Sequence, residues 1–206
     1  MPKGSDELTN ARREEIINAC ESLYRTMSFR EITIKEIGNE TSFTRTSIYN
    51  YFRTKEEIFL ALFKREYELW IAELNAVMDR EEHMTAEDFA DMLAHSLENR
   101  EQLLKLMSMN LYDMESSSRP EHLRDFKAVY GECLMTVSKC LEKYFPDMTD
   151  DERQSFLYSF FPFMFGIYPY TNVSEKQRTA MEQANIEYKP VTIYDITFNC
   201  VERLLK

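Results

Sequence analysis

Residues 33–59, TIKEIGNETSFTRTSIYNYFRTKEEIF, decide the fold of this chain. Thr44 is a suitable N-cap for a helix over residues 45–52 in the middle of this stretch. Two Ser/Thr-x-x-Glu capping boxes, which mark helix beginnings, stand near its ends: Thr33 with Glu36, and Thr54 with Glu57. The stretch therefore predicts two short helices joined by a tight turn and followed directly by a third.

The predicted helix over residues 45–52 has two unlike faces. Ile48 and Phe52 are four residues apart, so they share a side that we expect to be buried. Most of its other positions carry hydroxyl or amide groups and one arginine, Arg45. A helix that packs on a scaffold by one side and shows such groups on the other is suited to a DNA major groove.

The rest of the sequence favours an all-α protein. Its 206 residues include only 4 Gly and 6 Pro, fewer than sheets and long loops usually need. A stripe at helical spacing runs through the predicted helix over residues 55–80: Phe59, Phe63, Tyr67, Trp70, Leu74 and Val77. There is no run of 18 apolar residues and no apolar signal segment, so we expect a cytoplasmic protein without a membrane partner.

The net charge of −11 is unevenly distributed. Residues 1–55 hold 9 Lys/Arg and 8 Asp/Glu, so almost all of the acidity lies in residues 56–206. Affinity for phosphate depends on the local field, and a near-neutral head is compatible with DNA binding. The acidic remainder either repels DNA and so orients the head, or is only a solvated surface.

Known catalytic motifs are absent from the sequence. It has no glycine-rich phosphate loop, no H-E-x-x-H and no G-x-S-x-G, so we expect no enzyme, no catalytic residue and no cofactor. Four scattered cysteines without a C-x-x-C pair predict buried free thiols and no metal site: Cys20, Cys133, Cys140 and Cys200.

The head resembles the tetracycline-repressor (TetR) family of bacterial transcription regulators. The resemblance covers about residues 10–65 and rests on these positions: Thr33, Ile37, Gly38, Phe43, Thr44, Ile48, Tyr49, Phe52, Lys55, Glu56 and Ile58. It implies an all-α fold in which an N-terminal three-helix helix-turn-helix head continues into an antiparallel helical body for ligand binding and dimerisation. We expect a disordered tail over 1–9, a DNA-binding domain over 10–54 and the effector and dimerisation domain over 55–206.

Two positions depart from the family pattern. Ser42 stands where glycine is usual, and a positive φ there costs about 1 kcal/mol. Gly38 stands where alanine is usual, which lowers helix propensity but lets the second and third helices approach closely.

The resemblance and the helix geometry divide the expected DNA contacts into two sets. The phosphate set comprises Thr33, Thr44, Tyr49, Tyr51 and Lys55. The base-reading set comprises Arg45, Thr46 and Asn50, with Ser47 able to serve in either set. Two alternatives stay open, a phosphate contact for Arg45 and a packing role for Tyr49.

The body is expected to bind a lipophilic small molecule and to form a homodimer. Methionine and aromatic residues that suit a ligand pocket are Met107, Tyr112, Phe126, Tyr130, Met164 and Tyr168. The predicted dimer seam comprises Phe156, Phe160, Phe163, Ile193, Ile196, Cys200 and Leu204. Residues 156–168 leave almost no polar face, so a ligand cavity is the alternative for part of that helix.

Together these features predict a ligand-responsive repressor that binds a palindromic double-stranded operator as a homodimer. A ligand that shifts the long helix after the head lowers the affinity for DNA. An activator with the same fold is one alternative. A helical adaptor that uses the head for protein contacts is another.

Overall fold

The computed structural model describes residues 3–109 and 111–206, and all regular elements in these two ranges are α-helices. The expected all-α fold is confirmed. The helices are α1 (Lys3–Thr26), α2 (Ile34–Asn39), α3 (Arg45–Ile48), α4 (Lys55–Arg80), α5 (Ala86–Glu98), α6 (Glu101–Met107), α7 (Leu111–Ser116), α8 (Pro120–Tyr144), α9 (Asp150–Thr171), α10 (Glu175–Gln183) and α11 (Ile193–Leu204). No described helix is long and apolar enough to cross a membrane.

The chain divides into two compact units. The first comprises Met1–Arg65 with Asn110–Tyr130, and the second comprises Glu66–Met109 with Gly131–Lys206. The functional boundary expected between residues 54 and 55 stays a prediction. As a packing unit, the first unit extends to residue 65 and includes α7 and the beginning of α8.

Helix α1 begins earlier than the sequence indicated. It starts at Lys3, so the described part of the expected tail, residues 3–9, is helical. Asp6 lies in the first turn, where a carboxylate interacts favourably with the helix dipole. The buried face of α1 begins only at Ile16 and continues through Cys20 and Tyr24, so the apolar pattern gave no sign of these first turns.

Helix α3 is shorter than expected. It ends at Ile48, and the backbone continues to Phe52 in tighter turns, with Asn50 N–H donating to Ser47 O (3.2 Å) and Tyr51 N–H to Ile48 O (2.8 Å). Serine, tyrosine and asparagine have modest helix propensity, which is consistent with this early end. Both residues expected to face inward, Ile48 and Phe52, are fully buried.

Helices α2 and α3 meet closely at Gly38. A Cβ atom added there would lie 3.3 Å from Arg45 Cβ and 3.4 Å from Arg45 Cα. The glycine therefore permits the close approach predicted from the sequence. Ser42 carries no left-handed strain, because the positive φ among described non-glycine residues occurs at Asn185. The N–H of Ser42 donates to the Glu15 carboxylate.

The second unit is built around aromatic side chains. Trp70 is buried, and its indole N–H donates to Ser96 Oγ (3.0 Å). Helix α11 packs on α5 and α9, and α6 also packs on α9. Capping boxes fix the first turns of four helices in this unit: Thr85 with Asp88, Thr149 with Glu152, Ser174 with Gln177 and Thr192 with Asp195.

The four cysteines are free thiols. Cys20, Cys133 and Cys140 are buried, as expected, whereas Cys200 is half-buried. Burial raises the pKa of the Cys140 thiol to about 11, so it stays protonated and unreactive near neutral pH.

Candidate nucleic-acid interface

The α3 segment, residues 44–52, presents polar groups outward over an apolar base. Arg45, Thr46 and Asn50 are exposed, and Ile48 and Phe52 close the underside. Ser47 and Tyr51 are half-buried. The three side chains expected to read bases therefore all lie at the surface of one short segment.

Two hydrogen bonds organise the outer face of this segment. Arg45 Nη2 donates to Tyr49 Oη across one helical turn (3.3 Å), and the Thr44 and Ser47 hydroxyls lie 3.1 Å apart. The bond from Arg45 uses one of the five N–H groups of a guanidinium, so two parallel donors can still meet a guanine or a phosphate. Tyr49 is 44% exposed, more than expected for a residue whose role is only packing.

Thr33 and Lys55 both have partners within the protein. Thr33 Oγ1 caps α2 by accepting from Lys35 N–H (3.2 Å) and Glu36 N–H (3.4 Å). The Lys55 ammonium donates to Phe29 O (2.6 Å) and Ile32 O (3.0 Å) and lies 4.1 Å from the centroid of the Phe29 ring. An ammonium has three donors, so one remains for a phosphate, and the phosphate role of Lys55 stays a prediction.

Sequence reasoning missed a buried carboxylate beside this segment. Glu57 was expected to complete a capping box with Thr54, and its N–H does donate to Thr54 Oγ1 (3.2 Å). Its side chain, however, is fully buried and accepts instead from the N–H of Arg53 (2.7 Å).

Arg119 is the main partner of this carboxylate. Its Nε and Nη2 donate to the two Glu57 oxygens at 2.7 and 2.9 Å, and its backbone N–H donates to Oε1 at 3.1 Å. Burial alone raises the pKa of Glu57, but the hydrogen bonds from Arg119 and from the N–H of Arg53 outweigh it and lower the pKa to about 2. Glu57 is therefore ionised throughout the physiological range.

The same guanidinium reaches the end of the α3 segment. Arg119 Nη2 also donates to the backbone carbonyl of Tyr51 (3.1 Å) and lies 2.7 Å from His122 Nε2. The two N–H groups of Nη2 are used by Glu57 Oε2 and Tyr51 O, so the His122 ring is a close polar neighbour of the guanidinium. Burial lowers the pKa of His122.

A second bond and a cleft complete this region. Thr54 Oγ1 donates to Ser117 O (3.0 Å), immediately before α8. A cleft of about 500 Å³ lies beside the α3 segment and is lined by Thr9, Arg13, Asn50, Tyr51, Arg119, Glu121, His122 and Asp125. Spacing along the sequence could not predict the pairing of Glu57 with Arg119, since 62 residues separate them. The signal in the sequence was a break in the helical pattern at residues 116–120, which marked the segment that contains Arg119 as a loop.

The six expected ligand-pocket residues are divided between the two units, and their role stays a prediction. Met107, Met164 and Tyr168 belong to the second unit, whereas Tyr112, Phe126 and Tyr130 belong to the first. Met107 and Met164 are fully buried, Phe126 packs with Phe63, and Tyr112 is 83% exposed. A groove of about 760 Å³ in the second unit includes Tyr168 alone of the six, with residues 171–190 supplying the rest of its wall.

The expected dimer seam is partly corrected. Phe156 and Phe160 are buried in the core of the second unit, where Phe156 packs with Phe89 and Phe160 with Phe161, so neither can meet another subunit. The face that α9 exposes carries Tyr158 and Tyr170 instead. The other five seam residues stay predictions and are half-buried: Phe163, Ile193, Ile196, Cys200 and Leu204.

Comparison with known proteins places this geometry in context. Residues 16–62 match the family described as bacterial regulatory proteins, tetR family, and residues 64–194 match the tetracyclin repressor-like C-terminal domain. The chain is 33% identical over 58 residues to the HTH-type transcriptional regulator YfiR of Bacillus subtilis, covering 28% of each protein. It is 28% identical over 105 residues to the HTH-type transcriptional repressor Rv1474c of Mycobacterium tuberculosis, covering 48% of this chain and 54% of that protein.

The chain thus spans about half or less of the curated relatives that it matches. Among solved structures, the transcriptional regulator FadR of Bacillus subtilis, in complex with stearoyl-CoA, has a TM-score of 0.56 at 16% identity. That likeness covers 94% of this chain and 97% of FadR, and at this identity it concerns the fold.

Proposed function

Because the chain belongs to the tetracycline-repressor family, we propose that it is a homodimeric repressor that binds a palindromic operator and releases it when a lipophilic small molecule binds. The observation that carries the proposal is the α3 segment, where Arg45, Thr46 and Asn50 are exposed above a buried Ile48 and Phe52. Such a segment can enter a major groove without exposing apolar surface.

We assign base reading to Arg45 and Asn50. A guanidinium can donate two parallel bonds to guanine O6 and N7, and a carboxamide can pair with adenine N6 and N7. The bond from Arg45 to Tyr49 directs the guanidinium along the exposed face before DNA arrives. The hydroxyls of Thr44 and Ser47 lie beside this pair and suit the flanking phosphates.

Selection of bound fragments from random duplex DNA tests this function. The full chain should enrich a two-fold symmetric sequence whose half-site centres lie about one helical turn apart or a multiple of it. The logarithm of the association constant should fall linearly with the logarithm of the salt concentration. Absence of enrichment, with a weak affinity equal for all duplexes, contradicts sequence-specific regulation.

Homodimerisation and an effector are the second part of the proposal. A palindromic operator requires two heads related by a two-fold axis, so sedimentation should show a dimer at concentrations that saturate DNA. An acyl-CoA is the first effector class to test, because FadR is found with stearoyl-CoA. The buried methionines and aromatic residues of the second unit suit a lipophilic chain.

Linkage gives the effector test its form. If stearoyl-CoA lowers operator affinity by some factor, operator DNA must lower the affinity for stearoyl-CoA by the same factor. The two affinities should be measured at one salt concentration, with free coenzyme A as the control for the polar part of the molecule. Equal DNA affinity with and without acyl-CoA contradicts this effector class and leaves DNA binding intact.

A further inference from the structure

We propose that Arg119 is a positioning residue for DNA binding, which holds the α3 segment in its DNA-binding conformation by joining the Glu57 carboxylate to the Tyr51 carbonyl. The inference rests on the proposed DNA-binding function. It adds a residue 68 positions after Tyr51 that touches the backbone of the α3 segment directly.

The first step is that the buried Glu57 carboxylate needs hydrogen-bond donors. A fully buried carboxylate is strongly unfavourable without partners, and Glu57 lies in the first turn of α4, directly after the α3 segment. Arg119 donates to this carboxylate through Nε, Nη2 and its backbone N–H, and the N–H of Arg53 supplies a further donor. The position of Arg119 relative to the start of α4 is therefore fixed by three hydrogen bonds to Glu57.

The second step is what the fixed guanidinium does. Its Nη2 donates to Tyr51 O, the carbonyl that precedes the buried Phe52. Beyond Ile48 the backbone leaves the regular α-helix through turns, the last of them closed by Phe52 N–H donating to Ile48 O (3.0 Å), and Arg119 adds a side-chain bond to the Tyr51 carbonyl. The bond sets the path of the backbone that carries Asn50 and Tyr51, two of the expected DNA contacts.

The third step is that neighbouring contacts support the same path. The ring of His122 lies 5.8 Å from the Phe52 ring, and Arg13 covers Phe52 at 4.9 Å from the ring centroid. Thr54 Oγ1 binds Ser117 O two residues before Arg119. The chain from 117 to 122 thus holds the chain from 51 to 57 at several points.

Arg65 provides a matched control in the same unit. Like Arg119 it is half-buried and pairs with carboxylates, but it lies on α4 and its partners are on α1, Glu21 at 2.6 Å and Glu14 at 3.3 Å. Its hydrogen bonds go to Glu14, Asn18 and Glu21 of α1, away from the α3 segment. Loss of Arg65 should therefore lower stability without moving the reading surface.

The experiment compares full-chain Arg119→Met and Arg65→Met at a temperature where both remain folded. Arg119→Met should bind the selected operator at least tenfold more weakly than wild type, whereas Arg65→Met should stay within twofold. Arg119→Lys keeps the charge but lacks the fork, so it should not restore affinity. Affinity within twofold of wild type in folded Arg119→Met overturns the proposal.

Amide hydrogen exchange without DNA gives a second, independent readout. In Arg119→Met, exchange at Asn50 to Arg53 should accelerate by more than tenfold, with the α1 amides unchanged. Unchanged protection at these four amides overturns the positioning role even if DNA binding falls. If wild type selects no DNA sequence, the proposed function fails, and the exchange result alone decides whether Arg119 holds this segment.

Discussion

Helices α3 and α9 show two kinds of sequence pattern with different predictive value. In the α3 segment the apolar Ile48 and Phe52 are buried and the polar Arg45, Thr46 and Asn50 are exposed, as their helical spacing indicated. In α9 nearly every position from Phe156 to Ile167 is apolar, and the sequence assigned Phe156 and Phe160 to a dimer seam that their burial excludes. An amphipathic helix specifies its orientation, whereas a helix that is apolar all round leaves it to the surrounding packing.

The largest expected effect tests the core assignment in α9. Phe160→Ala removes a fully buried ring and should lower the free energy of unfolding by about 4 kcal/mol. Tyr158→Ala, on the same helix but at a side chain 70% exposed, should change subunit stability by less than about 0.5 kcal/mol. Urea denaturation at several protein concentrations separates the two roles. A loss for Phe160→Ala that grows on dilution would return this residue to the seam.

The second effect concerns the ion pair between Glu57 and Arg119, which the sequence pattern did not indicate. Glu57→Gln should destabilise the protein by about 3 kcal/mol at pH 7, because Arg119 then lacks its buried counter-charge. The pKa of Glu57 is lowered from 4.5 to about 2 in the folded protein, so its stabilisation is present above pH 4.5 and is lost as the pH falls toward 2. The difference between wild type and Glu57→Gln in urea should therefore shrink over that range.

Glu56→Gln is the control for this experiment. Glu56 lies beside Glu57 in the first turn of α4 but is half-buried, so its replacement should have only a small effect on the free energy of unfolding. A constant difference between wild type and Glu57→Gln from pH 7 to pH 3 would contradict an ionised, paired Glu57.

Sequence separation explains why the helix-turn-helix could be predicted and the Glu57–Arg119 pair could not. The helix-turn-helix was readable because its capping residues, its apolar spacing and its polar face all lie within residues 33–59. The ion pair was not readable, because a glutamate three residues after a threonine satisfies a local rule that hides its long-range partner. The internal partners of the Lys55 ammonium, Phe29 O and Ile32 O, were likewise not readable, because more than 20 residues separate them from it, and its phosphate role stays a prediction.

The third effect tests whether Arg45 contacts bases or phosphates. Arg45→Ala should cost about 2 kcal/mol of operator affinity and much less on a scrambled duplex of equal length. Arg25→Ala, which removes an equal charge from an exposed position of α1, is the control for net charge. Fluorescence anisotropy on both duplexes at one salt concentration makes the comparison. Equal losses on the two duplexes would move Arg45 to the phosphate set.

The smallest effect tests the close approach of α2 and α3. Gly38→Ala gains about 1 kcal/mol of helix propensity, but its Cβ meets Arg45 at 3.3 Å, tighter than ordinary contact. We expect the gain in helix propensity and the cost of this contact to offset each other, so that the free energy of unfolding stays within about 0.5 kcal/mol of wild type. Gly38→Val, with more bulk at the same point, should be clearly destabilised. Thermal unfolding of both variants decides whether Gly38 is needed for space.

The composition of the first unit has a practical consequence for building hybrid regulators. A graft that transfers a reading head cut at residue 62, where the sequence match to the head ends, would carry Glu57 into its new host and leave Arg119 behind. The recipient would then contain an unmatched anion at the base of its specificity element. A chimera should exchange residues 111–130 together with the head, or replace Glu57 by a neutral side chain.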